Sequence, residues 1–172
     1  LIEDGDKFIL DKIPLQNAKS NTEKSIIKYV IENETLKGKV KIEYDGESRA
    51  SFLYNYNSIK NDKKEDALRW YLNSKDKNNT VSNIKTSDLL NRDQKLTLDF
   101  DVAIANHVSS FDNEIYVDLN YNKEYNSFDF NDRKSDFMLN FKAYDDVTII
   151  LQIPDGYSVT KIPENISINT DD

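Results

Sequence analysis

His107, in "AIANHVSS", is the only histidine among 172 residues, and the chain has no cysteine. The commonest general base is therefore present once, and the thiol nucleophile is absent. As a base, His107 would need a nucleophile to activate, and no Gly-x-Ser-x-Gly turn presents one. As a metal ligand it would want a second nitrogen or sulfur donor, which the sequence does not supply. Its place just past an alternating segment reads as a loop histidine. No catalytic, cofactor-binding or metal-binding residue is assigned, and no cofactor is expected.

Carboxylates are too numerous to discriminate. With 31 acids, close pairs such as Asp99/Asp101 and Asp145/Asp146 are unavoidable, and nothing marks one pair as flanking a sugar cleft. Two acidic loops, residues 111–114 ("FDNE") and 128–132 ("FDFND"), have the oxygen ligands calcium uses. The EF-hand pattern is absent, so they read as solvated loops. Tyr116 points away from the apolar face of its segment, with Tyr121 and Tyr125 near it in sequence, which is how a sugar-stacking platform would begin. Aromatic residues are also simply favoured in strands. The sequons at Asn33, Asn78 and Asn165 are expected by chance in so asparagine-rich a chain. The four glycines all sit beside turn candidates, so none is spare for a phosphate loop.

The elements that would position these groups are those of one folded domain with a strongly solvated surface: 38% of residues are hydrophobic and 31% charged. A formal charge of −8, with no cluster of Lys and Arg free of acids, excludes a phosphate-backbone footprint and argues against nucleic acid or an anionic membrane surface. No apolar run approaches the roughly 18–20 residues of a membrane helix, so no membrane insertion is expected. The chain opens on Leu1 rather than methionine, which points to a piece of something larger.

Residues 95–105 ("KLTLDFDVAIA") alternate, with Leu96, Leu98, Phe100, Val102 and Ile104 on one face, the pattern of a half-buried antiparallel strand. The same period puts Ile115, Val117, Leu119 and Tyr121 inward in "EIYVDLNYN", and Val147, Ile149, Leu151 and Ile153 inward in "DVTIILQI". Phe137, Leu139 and Phe141 make a shorter strand, and Ile166 with Ile168 a terminal one. Earlier in the chain, Ile27, Tyr29 and Ile31 form one strand and Val40, Ile42 and Tyr44 another, around a polar turn "NETLKG". Asp45-Gly46 follows as a tight turn needing positive φ.

One helix is clear: Asp62 and Glu65 have capping-box spacing, and Ala67, Leu68, Tyr71 and Leu72 form a stripe. Residues 49–57 fit either element. Ala50, Leu53 and Tyr54 suit a helix, with Phe52, Tyr54 and Tyr56 suiting a strand; the helix is preferred. The expected fold is mainly β, an antiparallel two-sheet β-sandwich, immunoglobulin-like or related, with a helical insertion around residues 49–75. It is read as a single domain over 1–172: a lead-in segment 1–22, the insertion within 46–78, the main strand run 79–168 and a frayed tail 169–172.

The stretch "IPDGYSVTKIPE" holds two of the three prolines. Pro154 ends a ladder, Asp155-Gly156 turns the chain, Tyr157 and Val159 re-enter the core, and Pro163 precedes the last strand. Residues 126–168 here resemble the closing segment of a family of large bacterial proteins. In these, a domain of unknown function and a transglutaminase-like, papain-fold domain precede a C-terminal β-rich domain. Asn126 and Phe128, Arg133, Pro154-Asp155-Gly156-Tyr157 and Ile162-Pro163 match the family's pattern, and Ser127 stands where the family usually has proline. The first half resembles the family's strand–turn–strand–helix more loosely.

The resemblance implies a non-catalytic accessory domain whose partner is an upstream transglutaminase-like domain of the same chain. That domain would carry the Cys-His-Asp site, and Asp11 is no substitute for it. The resemblance further implies an exported protein, periplasmic or at the cell surface. The alternative is a free-standing cell-surface module that binds a glycan or a protein through outer-face tyrosines.

Overall fold

The structure is a computed structural model and describes residues 2–4, 7–9, 14, 16–91, 93–120, 134 and 139–169. Asp11, Tyr121, Tyr125, Asn126, Phe128, Arg133, Phe137, the 128–132 loop and residues 170–172 lie outside the described residues.

The strands are β1 (Ile2–Asp4), β2 (Lys7–Ile9), β3 (Thr22–Glu32), β4 (Thr35–Tyr44), β5 (Asn79–Thr86), β6 (Leu96–Ile104), β7 (Val108–Phe111), β8 (Glu114–Val117) and β9 (Tyr144–Leu151). Two helices, α1 (Gly46–Ser58) and α2 (Lys64–Leu72), lie between β4 and β5. The chain is thus mainly β with two helices, inserted where the sequence placed them. A five-stranded sheet in the order β5-β6-β4-β3-β9 organises it, and β1-β2 and β7-β8 are separate two-stranded ladders. Within the large sheet only β3–β9 is parallel.

β6 meets its sequence expectation fully. Leu96, Leu98, Phe100, Val102 and Ile104 are each no more than 3% exposed, and Val40, Ile42 and Tyr44 of β4 and Ile27 and Tyr29 of β3 share their face. Burial of one such side chain contributes about 1.5–3 kcal/mol, so this row is a large share of the fold's stabilisation. The turn before β4 is shorter than "NETLKG" suggested. Asn33 and Glu34 alone make it, with φ of 49° and 59°, as a two-residue hairpin of matching twist requires. Thr35 already pairs with Glu32, and Leu36 is fully buried. Gly38 faces Tyr29 across the ladder, and the ring lies so close that a Cβ would sit 2.7 Å from it.

The helical insertion supplies a second layer. Residues 49–57 are helical, but the inward stripe is Phe52, Leu53 and Tyr56, while Tyr54 is 78% exposed. Asp45-Gly46 has the expected positive φ at Gly46, 57°, yet it starts α1 instead of closing a tight turn. The Asp45 carboxylate accepts from the Gly46 N–H, and the Asn21 side-chain oxygen accepts from the Glu47 N–H. A Cβ at Gly46 would lie 2.0 Å from the Ser20 carbonyl oxygen, so only glycine fits. The capping box of Asp62 and Glu65 does not form. Residues Asn61–Lys63 make a 3-10 turn, and α2 begins without a side-chain cap. Leu53, Leu68 and Leu72 complete the core.

Several expectations along the second half are corrected. Among the described residues α1 and α2 contribute Leu53, Leu68 and Leu72 to the core against the five-stranded sheet, and Val108 of β7 and Val117 of β8 pack against its margin. β8 stops at Val117 because Asp118 and Asn120 take up a side-chain turn, with the Asp118 carboxylate accepting from the Asn120 N–H. Leu139 is 64% exposed and lies in no strand. Tyr157 and Val159 do not re-enter the core, and Ile166 and Ile168 form no strand; all four are exposed. β9 has the predicted alternation, but Val147 is 59% exposed and Ile153 37%. An edge strand with one neighbour leaves even its inward side chains half covered.

Candidate functional site

Three surfaces deserve comparison. The first is a polar cleft of about 480 Å³ on the wet face of the sheet, lined by Lys39, Asn83, Lys85, Asp99 and Asp101 among others. It exists because β5 is bulged: the ladder with β6 shifts register between Ser82 and Lys85, and Asn83 turns to φ 55°. A bulge of this kind re-aims a side chain. Here it directs the Asn83 amide onto Asp101 Oδ2 at 2.6 Å, while Lys39 Nζ reaches Asp101 Oδ1 at 3.2 Å. The Asn83 bond, and after it the Lys39 ammonium, holds the Asp101 carboxyl below its ordinary range. Both oxygens are engaged and the group stays ionised, so it is poised to hold charge and not to deliver a proton.

The second surface is an apolar crevice of about 80 Å³ between the helices, lined by Phe52, Tyr56, Ile59, Ala67, Leu68 and Tyr71, with Asn55 at its rim. Phe52 stacks on Tyr44 at 5.3 Å and on Tyr56 at 6.2 Å, and meets Tyr71 edge-on at 5.5 Å. Tyr44 and Tyr71 join their hydroxyls at 2.9 Å, and Lys64 Nζ lies 5.1 Å from the Tyr56 ring centre. Offset and edge contacts of this kind add about 0.5–1.5 kcal/mol per pair beyond burial. The signal was present as Phe52 and Tyr56 at i,i+4, once residues 49–57 are known to be helical.

The third is the C-terminal segment. Of sixteen large apolar residues exposed among the described ones, nine fall between Tyr144 and Ile168. That concentration in one segment distinguishes it from the scatter of single apolar residues any surface carries.

Of the residues singled out in the sequence, Asp99 and Asp101 both line the polar cleft, and the others are not gathered with them. His107 Nδ1 lies 2.8 Å from the Asp118 carbonyl oxygen, and the Asp118 N–H donates to the His107 carbonyl at 2.8 Å, so this pair closes the base of the β7–β8 hairpin. Tyr116 stands exposed on β8, its hydroxyl donating to Glu114 at 2.5 Å, and that carboxylate pushes the phenol up from its ordinary value. Asp146 pairs with Lys24 across the β3–β9 ladder. Asp112 and Asn113 form the β7–β8 turn in the 111–114 loop, and no three His, Asp or Glu among the described residues converge as a metal site.

No known protein family, curated protein or solved structure matches the chain. What fold and surface define, among the described residues, is a mainly β domain with a helical layer and a C-terminal segment rich in exposed apolar side chains.

Proposed function

We propose that the chain is a non-catalytic accessory domain that works by packing, through β9 and residues 153–168, against another domain or partner. The observation that carries this reading is the concentration of exposed apolar side chains there, from Val147 to Ile168. Monomeric soluble domains rarely leave such a segment bare. The motif residues Pro154, Asp155, Gly156 and Tyr157, which resemble the C-terminal domain of exported transglutaminase-like proteins, lie in the same segment. On that resemblance the partner is an upstream transglutaminase-like domain, and the site of action is periplasmic or at the cell surface. In this reading the two-sheet form of the fold is reached on assembly, when the C-terminal segment finds a strand to pair with.

The test is hydroxyl-radical footprinting of the natural protein isolated from its cells, compared with this chain alone. Reduced labelling of Tyr157, Val159 and Ile162 in the natural protein is expected; equal labelling in both would overturn the reading. The isolated chain is expected to show no peptidase or transamidase turnover. Turnover by pure protein that His107→Ala abolishes would contradict it.

A second reading, a glycan- or protein-binding module, is favoured by one observation: the stacked rings of the crevice. It moves the platform from the outer sheet face to the helical layer. Trp70, the only tryptophan, precedes Tyr71 of the crevice and is 49% exposed. A ligand seated there would shift its fluorescence, and no shift across a glycan panel would remove the glycan form of this reading.

A further inference from the structure

The two edges of the five-stranded sheet are treated differently. β5, at one edge, is bulged and carries Lys85, the devices by which edge strands are kept from pairing with other chains. β9, at the other, is regular over Tyr144–Leu151 and holds neither lysine nor proline. The Tyr144 N–H donates to the Asn21 carbonyl and the Gln152 N–H to the Tyr29 carbonyl, so even-numbered backbone groups face β3. By alternation, the N–H and C=O of Val147, Ile149 and Leu151 face the open edge, where no strand pairs with them among the described residues.

We propose that β9 pairs antiparallel with the β9 of a second copy of this chain, about a two-fold axis at Ile149, joining two sheets edge to edge. The proposal rests on the packing reading above and names the partner of its β9 part. The strand is self-complementary in this register. Ile149 lies opposite its own mate and Val147 opposite Leu151, all of them outward-facing residues that exchange both backbone hydrogen bonds. Their side chains share the apolar face of the sheet, so the half-covered row on each copy covers the other. On the wet face Thr148 meets Ile150, and Asp146 meets Gln152 and not another carboxylate, which avoids the penalty of like charges directly opposed. A self-complementary patch is what a two-fold interface requires.

The experiment is sedimentation equilibrium of the chain from micromolar to submillimolar concentration, with two variants. Val147→Lys places a charge at the exposed edge. Ile149→Pro removes an N–H that faces outward and not toward β3. A concentration-dependent dimer is expected for the parent chain, lost in both variants while their circular dichroism stays that of the parent. Because the chain lacks cysteine, Ile149→Cys gives a clean register probe. Directly opposed Cα atoms at about 5.5 Å lie within disulfide reach, and mild oxidation should yield covalent dimer.

A chain monomeric throughout, or a dimer indifferent to both substitutions, would overturn the proposal. A dimer whose Ile149→Cys variant fails to cross-link would overturn the two-fold register. If the chain stays monomeric while footprinting shows residues 157–162 covered in the natural protein, the second copy is wrong and the packing reading stands. If that segment is bare in both, the packing reading fails as well.

Discussion

Leu96, Leu98, Phe100, Val102 and Ile104 of β6, and Val147, Ile149 and Leu151 of β9, carry one alternating pattern on one face of one sheet. β6 runs between β4 and β5 and shares a core with the helices, and its row is at most 3% exposed. Among the described residues β9 pairs with β3 alone, and Val147 remains 59% exposed. The period of two specifies which side chains share a face. It does not specify how many neighbours the strand will have or what will lie over that face. On the packing reading proposed above, the excess of apolar character on β9 and beyond serves association, where the same excess on β6 serves the fold.

The contrast is open to breakage by substitution, starting with the strongest effect. Phe100→Ala should cost about 3–5 kcal/mol of folding stability by cavity formation. The measurement is the denaturant midpoint, and a loss below that range would mean β6 is not the centre of the core. Gly46→Ala should cost about 1–3 kcal/mol, because a left-handed residue acquires a Cβ pressed onto the Ser20 carbonyl. Its recovery by repacking would show that the joint between sheet and helical layer is looser than the geometry implies.

A smaller effect belongs to the wet face. Asp101 is held below its ordinary value by Asn83 and then Lys39, so its contribution is complete above the unfolded value of about 3.9 and is lost as pH falls through the folded one. The pH-dependent part of the cost of Asn83→Ala should therefore be about 0.5 kcal/mol or less at neutral pH, an exposed pair being screened, and should vanish at pH values below both. A stability difference that grows on acidification would contradict this sign. Least of all, Val147→Ala should change the stability of the dilute chain by under about 0.5 kcal/mol, although the same residue type at Val102 would not be so indifferent.

Much of the five-stranded sheet could be read from the residues. β3, β4, β6 and β9 all follow from alternation, and the placing of the helical insertion from turn residues and stripe spacing. What alternation could not supply was the partner layer. Residues 49–57 have apolar side chains at positions 50, 52, 53, 54 and 56, compatible with either period, and only the Asp45 and Asn21 caps on the first turn decide for helix. Once helical, they add Phe52, Leu53 and Tyr56 to the layer against the sheet. β5 was hidden for the opposite reason. Only Asn79 and Val81 are buried, with Ile84 partly so, and the bulge at Asn83 breaks the period before a pattern can build.

The surfaces were less legible than the fold. The polar cleft arises from a bulge that no residue type announces, and the aromatic crevice from a helix assignment that was open. The exposed C-terminal segment has the composition of a core strand, so its sequence predicts strands returning to the core where the structure has none. Its turn, with the Tyr157 N–H donating to the Pro154 carbonyl at 3.1 Å, forms as expected, but the residues after it meet no strand.

The most direct measurement of the contrast is amide hydrogen exchange, residue by residue, on the dilute chain and on the natural protein. The account predicts β6 amides protected in both, with Val147, Ile149 and Leu151 exchanging quickly in the dilute chain and slowly in the natural protein. Fast exchange of those three amides in both settings would contradict it, leaving the C-terminal face an ordinary surface with no partner to meet.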